Sequence, residues 1–447
     1  MCNHYHPLST DTPKLLDTPF TRRRFLGQMA MVSAAMSVPG FVGSTAEAYA
    51  DTNWRTTSKP GVPEGRILVV VQLSGGNDGL NAVVPFGDDH YHRARPQLRI
   101  AERDALKLKG ADGVGLNPAL APLHEMIGQG RAAIINGVGY PNPNRSHFKS
   151  MDIWHSAQTD EKNQRGRGWV GKAMDTAYPL DPHGNAPDAA AMACVSIGND
   201  APMAVQGAHV KPVAFQQPEA FRWVGRDVHD AVNAGYEDVL HASAPQTDAA
   251  DPLAFVHRTS LDAEVASNKV RQAVQGQTEV RFPASPLSQQ LQMVAKMIRA
   301  ELPTRVYYVN LGGFDTHAQQ ANKHTQLLTQ FAGAMKAFYD ELNKTGHDSR
   351  VVSLAFSEFG RRLRQNASGG TDHGVAGPSF VFGPSVTPGV HGEYPSLTNL
   401  DQGDLIHTTD FRGVYADVLD NWMAIDAAKA LGGRYEHVGL FKGAKRA

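Results

Sequence analysis

Cysteine is scarce: Cys2 and Cys194 are the only two in 447 residues. Cys2 falls within a stretch that has the features of a leader, so the mature chain offers Cys194 no partner. An internal disulfide and a cysteine-built metal site are both excluded. An excess of charge is missing as well, with 43 Lys+Arg against 44 Asp+Glu and a formal net charge of -1. That balance removes the global electrostatic case for nucleic acid or an anionic membrane as partner. There is no dinucleotide fingerprint, haem motif, internal repeat or charge block, which leaves an oxidoreductase poorly supported. What the chain does have is 43 Gly, 27 Pro, 19 His and 41% hydrophobic residues. This is a turn-rich sequence able to bury a large core, with a generous supply of potential imidazole ligands.

The first 50 residues read as an export signal. Thr21-Arg22-Arg23-Arg24-Phe25-Leu26 leads into a moderately apolar run from Met29 to Val42, and Ala48-Tyr49-Ala50 supplies small residues for cleavage before Asp51. The run is too short and too rich in Gly and Ala for a secure membrane span. The expectation is a folded protein carried to the periplasm, or otherwise exported, by the twin-arginine machinery, with residues 51–447 forming one domain.

Apolar runs then alternate with helical spacing, and polar residues gather where the apolar runs stop. Arg66 to Leu73 ends in SGGNDGLN with Asp78, and Ala132 to Val138 leads to Arg145-Ser146-His147-Phe148. Arg305 to Leu311 ends in Gly312-Gly313-Phe314-Asp315-Thr316-His317, and Val351 to Phe356 ends in Ser357-Glu358, followed by Gly369-Gly370-Thr371-Asp372-His373. Helices are expected over 118–129, 146–154, 286–301, 320–343 and 410–423. Further strands are expected over 193–197 and 380–382, with a hairpin over 205–215 and a helical insert around 200–285. In open α/β sheets ligands bind beyond the carboxyl ends of strands, so the recurrence at four such ends carries more weight than any one of them.

Each candidate has a plain structural alternative. Asp78 suits a metal ligand or an Asx turn, and Ser146 suits a nucleophile at a helix N-terminus or a helix cap. Asp372 and His373 pair oxygen with nitrogen donors, which favours zinc, manganese or iron over calcium, or else they form loop hydrogen bonds. His391 and His407 have no assignment. Carboxylates converging without a cation would cost roughly 4 kcal/mol per pair at about 4 Å and an effective dielectric near 20. A bound dication reverses that sign.

Together SGGNDGLN, RSHF, GGFDTH, SEFGRR, GTDHG and DFRGVYADVL (Asp410 to Leu419) resemble the exported family called domain of unknown function 1501, over nearly the whole mature chain. That family is grouped with the alkaline phosphatase and sulfatase superfamily. The resemblance implies a three-layer α/β/α fold with a mostly parallel sheet and hydrolysis of phosphate or sulfate esters, small or polymer-borne, with one or two divalent metal ions. By position it implies Asp78, Asp315, His317, Asp372 and His373 as metal ligands and Ser146 as nucleophile, beside His147. Arg145 or Arg361 and Arg362 would hold the non-bridging oxygens. Glu358 stands where the superfamily has its Asp-His pair, either as the replacing acid or as a residue behind the ligands. Only Thr316 separates Asp315 from His317, where phosphatases usually have three residues. These departures keep open a catalytically silent binding or scaffold protein on the same fold.

Overall fold

The computed structural model describes residues 65–164, 166–182, 186–218 and 267–443. The export signal and most of the helical insert expected around 200–285 lie outside the described residues.

Eight residues, apolar except for Gln72 and the terminal Ser74, make β1 (Ile67–Ser74), and its alternation decides the layering. Ile67, Val69, Val71 and Leu73 point to one core, and Leu68 and Val70 to the other. The period of two thus gives a central strand an apolar surface on both faces, as a sheet covered on both sides requires. The chain continues through α1 (Ala121–Gly128), β2 (Ala132–Gly139), α2 (His147–Ser156), α3 (Trp169–Ala177), β3 (Cys194–Ile197) and β4 (Val213–Phe215). It resumes with α4 (Pro286–Arg299), β5 (Val306–Gly312), α5 (Gln320–Lys344) and β6 (Val351–Phe356). There follow β7 (Arg361–Gln365), β8 (Thr371–His373), β9 (Gly377–Phe382), β10 (Gly389–His391), β11 (Thr409–Asp410) and α6 (Phe411–Asp417).

Nine of these strands form one sheet in the order β10-β2-β9-β6-β1-β5-β3-β4, with β11 also on β2. All its pairings are parallel except those of β9, which runs antiparallel to β2 and β6. Helices α4 and α5 cover one face, through Leu291, Val294, Phe331, Met335 and Phe338. Helices α2, α3 and α6 cover the other, where Trp154 stacks on Phe356 and Phe411, and Trp169 on Tyr415. This is the expected three-layer α/β fold with a mostly parallel sheet.

Local chemistry fixes two of the helix starts. Ser285 accepts from Ser288 N–H with Pro286 in the first turn, and Asp410 accepts from Arg412 N–H. One local expectation fails. The hairpin over 205–215 is absent, because Val213–Phe215 pairs parallel to β3 and Met203–Val205 is a short 3-10 turn. Asp372 and His373 sit on a strand, since β7 and β8 form a two-stranded antiparallel ribbon. Its Arg361 and Thr371 bond the loops that follow β1 and β5. Cys194 is a buried free thiol. Among the described residues no helix is long and apolar enough to cross a membrane.

Candidate metal centre

The loops beyond β1, β5 and β6 are drawn together because glycine removes side chains where the backbones meet. At Gly75, with φ +117°, a Cβ would run into the Asp315 and Phe314 backbone, and at Gly370 into that of His317. Asn77 N–H donates to Ser357 Oγ at 2.9 Å, Ser357 Oγ donates to Leu73 O at 2.6 Å, and Thr371 N–H donates to Thr316 O at 3.2 Å. Arg361 is buried and spends its guanidinium on these loops. It donates to Gly76 O at 2.7 Å, Thr371 O at 2.8 Å, Phe314 O at 3.1 Å, Gly75 O, and Asp315 Oδ1 at 2.7 Å.

Around Asp315 three imidazoles converge by their Nε2 atoms. His317 lies 3.0 Å and His373 3.2 Å from Oδ1, and His147 lies 3.4 Å from Oδ2. One ligand atom each from His147, Asp315 and His373 fits within a span of 4.8 Å. The Nε2 atoms of His317 and His373 face each other at 2.9 Å. Every Nδ1 is meanwhile tied to an acceptor: His147 to Glu358 Oε1 at 2.8 Å, His317 to Asp372 Oδ1 at 3.2 Å, and His373 to Arg145 O at 2.8 Å. Hydrogen on Nδ1 satisfies all three acceptors and turns three Nε2 lone pairs toward Asp315. His147 Nε2 is buried and makes no hydrogen bond.

Two of the expected ligands therefore stand behind the histidines. Glu358 is 2% exposed. Its Oε1 also accepts from Gly75 N–H at 2.8 Å, its Oε2 lies 3.2 Å from Ser357 Oγ, and its carbonyl accepts from Ser150 Oγ at 2.5 Å. Asp372 Oδ1 accepts from Asn366 Nδ2 at 3.1 Å as well. The His147 imidazole is raised above its ordinary value, first by the Glu358 hydrogen bond, against the opposing effect of burial. Asp315 is held down to about 2, because Arg361 and the histidines outweigh the raising effect of burial. Asp372 is lowered chiefly by Asn366, and His373 is lowered chiefly by burial.

The structure does not bring Asp78 into this group. Asp78 and Arg95 are both 0% exposed and meet at 2.5 Å, and Gln320 Nε2 donates to the same carboxylate oxygen. Arg95 also holds Asn81 Oδ1 at 2.9 Å and the carbonyls of Leu363 and Arg362. Burial works to raise the Asp78 carboxyl, yet Arg95 and its neighbours leave it lowered. His324, bonded to Asn77 Oδ1 at 2.9 Å, is pushed down to about 4 by burial. Ser146 is the N-cap residue of α2, exposed, and its hydroxyl does not cap the helix. Arg145 pairs with buried Asp404, which Arg362 also approaches at 3.3 Å. His391 bonds Thr387 O at 2.8 Å, and burial lowers His407.

Arg95, Gln320, His324 and Asn366 went unread in the sequence. For two of them a signal was there: Gln320 and His324 are polar residues at i, i+4 on the stripe that continues into Leu327, Leu328 and Phe331.

No curated protein matches the chain by sequence. Three solved structures are similar to it at low identity. The lipoteichoic acid synthase LtaP from Listeria monocytogenes is 9% identical over 86% of this chain and 81% of that chain, with a TM-score of 0.33. The structure of Ps i-CgsB is 8% identical over 83% and 73%, with a TM-score of 0.34. The phosphonate monoester hydrolase SpPMH from Silicibacter pomeroyi is 11% identical over 83% and 75%, with a TM-score of 0.28. The model of the family described as Protein of unknown function (DUF1501) matches residues 66–421, and the chain belongs to that family.

Proposed function

We propose that this protein is a metal-dependent hydrolase of phosphate or sulfate esters with an alkaline phosphatase-like arrangement, exported by the twin-arginine route. The observation that carries the reading is the set of three imidazoles, each tied down at Nδ1 and aimed by Nε2 at one carboxylate. Nitrogen atoms facing each other at 2.9 Å, and a buried Nε2 without a hydrogen bond, are stable arrangements when a cation lies among them. His147, Asp315 and His373, with His317 at their edge, would hold it. Three nitrogens and one oxygen suit zinc, manganese or iron. When bound, such an ion polarises a phosphoryl or sulfuryl oxygen as a Lewis acid.

The chain's own residues supply orientation. Glu358 and Asp372 fix imidazole tautomers and planes, as carboxylates behind metal-binding histidines do. Arg361 holds Asp315 and the three loops together, so its expected contact with substrate oxygens passes to the partly exposed Arg145 and Arg362. Ser146, with its hydroxyl free of the helix cap, is the proposed nucleophile. Ser146→Ala should retain bound metal and lose at least about a thousandfold in kcat on an aryl phosphate or sulfate. An unchanged kcat removes Ser146 from the role.

The silent-scaffold reading is favoured by one observation, the sealing of Asp78 by Arg95. It predicts stoichiometric metal with no turnover of either ester class.

A further inference from the structure

Beside the histidine cluster lies a cavity of about 350 Å³, lined by Ser74, Gly75, His147, Phe148, Met151, Asp315 and Glu358. Its lining joins the charged groups His147, Asp315 and Glu358 to the apolar Phe148 and Met151. His147 turns into the cluster from the first turn of α2, while Phe148 and Met151, three apart on the same helix, share the face beside it. Phe148 is 85% exposed, the most exposed large hydrophobic side chain among the described residues. No aromatic ring stacks on it there, whereas His147, Phe359 and His373 pack against one another at 4.4 to 4.9 Å.

We propose that Phe148 and Met151 form the subsite for an aromatic group on the substrate ester, placed so that its phosphoryl or sulfuryl end meets the cluster. The proposal rests on the hydrolase reading above. Two apolar side chains fall far short of the roughly 20–30 residues a side that a stable protein interface needs. They match one ring of a small ligand, and an open phenylalanine face offers that ring an offset or edge contact. An apolar wall set against a few charged groups is also the usual composition of a small-molecule site.

The test is calorimetric binding of phenylphosphonate and methylphosphonate, neither of which carries a hydrolysable ester, to the zinc-loaded full chain. Wild type should bind the phenyl compound about tenfold tighter, the effect of burying one ring face. In Phe148→Ala the ratio should fall close to one with methylphosphonate affinity unchanged. Leu180→Ala, at an exposed leucine outside the cavity, should keep the wild-type ratio. A full ratio in Phe148→Ala, or no preference in wild type, overturns this subsite alone. Failure of both phosphonates to bind overturns the subsite together with the hydrolase reading.

Discussion

Two aspartates follow neighbouring parallel strands, Asp78 after β1 and Asp315 after β5, and they end in opposite circumstances. Asp78 is sealed from solvent against a guanidinium, an amide and a neutral histidine nearby. Asp315 is 46% exposed, with Arg361 on one side and three imidazole nitrogens around it. The strand end supplies the carboxylate and a buried arginine meets it in both cases, so the remaining neighbours set the difference. Gln320 and complete burial close Asp78 into the scaffold, while solvent access and three histidines leave Asp315 room for a metal ion.

The largest effect that would break this contrast lies at Arg95. Arg95→Leu leaves the Asp78 carboxylate buried and unpaired, and should cost about 3–5 kcal/mol of stability. Adding Asp78→Asn should recover most of that loss in urea unfolding. If Arg95→Leu is as stable as wild type, Asp78 is not held as described.

Next in size is a pH effect confined to the sealed nest. His324 is neutral in the fold down to about 4, against an ordinary value near 6.5. Between those values the unfolded chain binds a proton that the folded chain refuses. Stability from this residue is therefore complete above about pH 6.5 and lost as pH falls toward 4, by roughly 3 kcal/mol in all. His324→Gln should flatten the fall of the urea midpoint over that window. An identical slope in both proteins would show that another group drives it, and the buried His155, also pushed down to about 4, is the first alternative.

A smaller effect sharpens the other half of the contrast. Glu358→Gln weakens the acceptor behind His147 and should lower metal affinity about 10–100-fold. Asp78→Asn should leave that affinity unchanged. Equal losses in the two variants would make Asp78 a ligand after all.

These two aspartates also mark how far the sequence could be read. The apolar runs of β1, β2, β5 and β6 and the stripe of α5 announce themselves, because periodicity is a local property. The four strand ends do gather on one side of the sheet, since their strands run parallel. Partner choice is not local. Glu358 meets His147 across 211 positions and Arg95 meets Asp78 from the end of the short helix Asp89–Ala94, and neither approach leaves a trace in spacing. Glu358 and Asp372, two of the acids named from sequence, hydrogen-bond the Nδ1 atoms of His147 and His317, and His147, named for catalysis, stands in the cluster. The same limit hid the ribbon that carries Asp372 and His373, beside which Gly370 closes against His317.

The central claim is that His147, Asp315 and His373 hold a metal ion, and elemental analysis of the purified mature protein beside His147→Ala/His373→Ala tests it most directly. The account predicts at least one equivalent of zinc, manganese or iron per wild-type chain, lost in the double variant while its far-UV circular dichroism is retained. Stoichiometric metal in both proteins, or in neither, would contradict it.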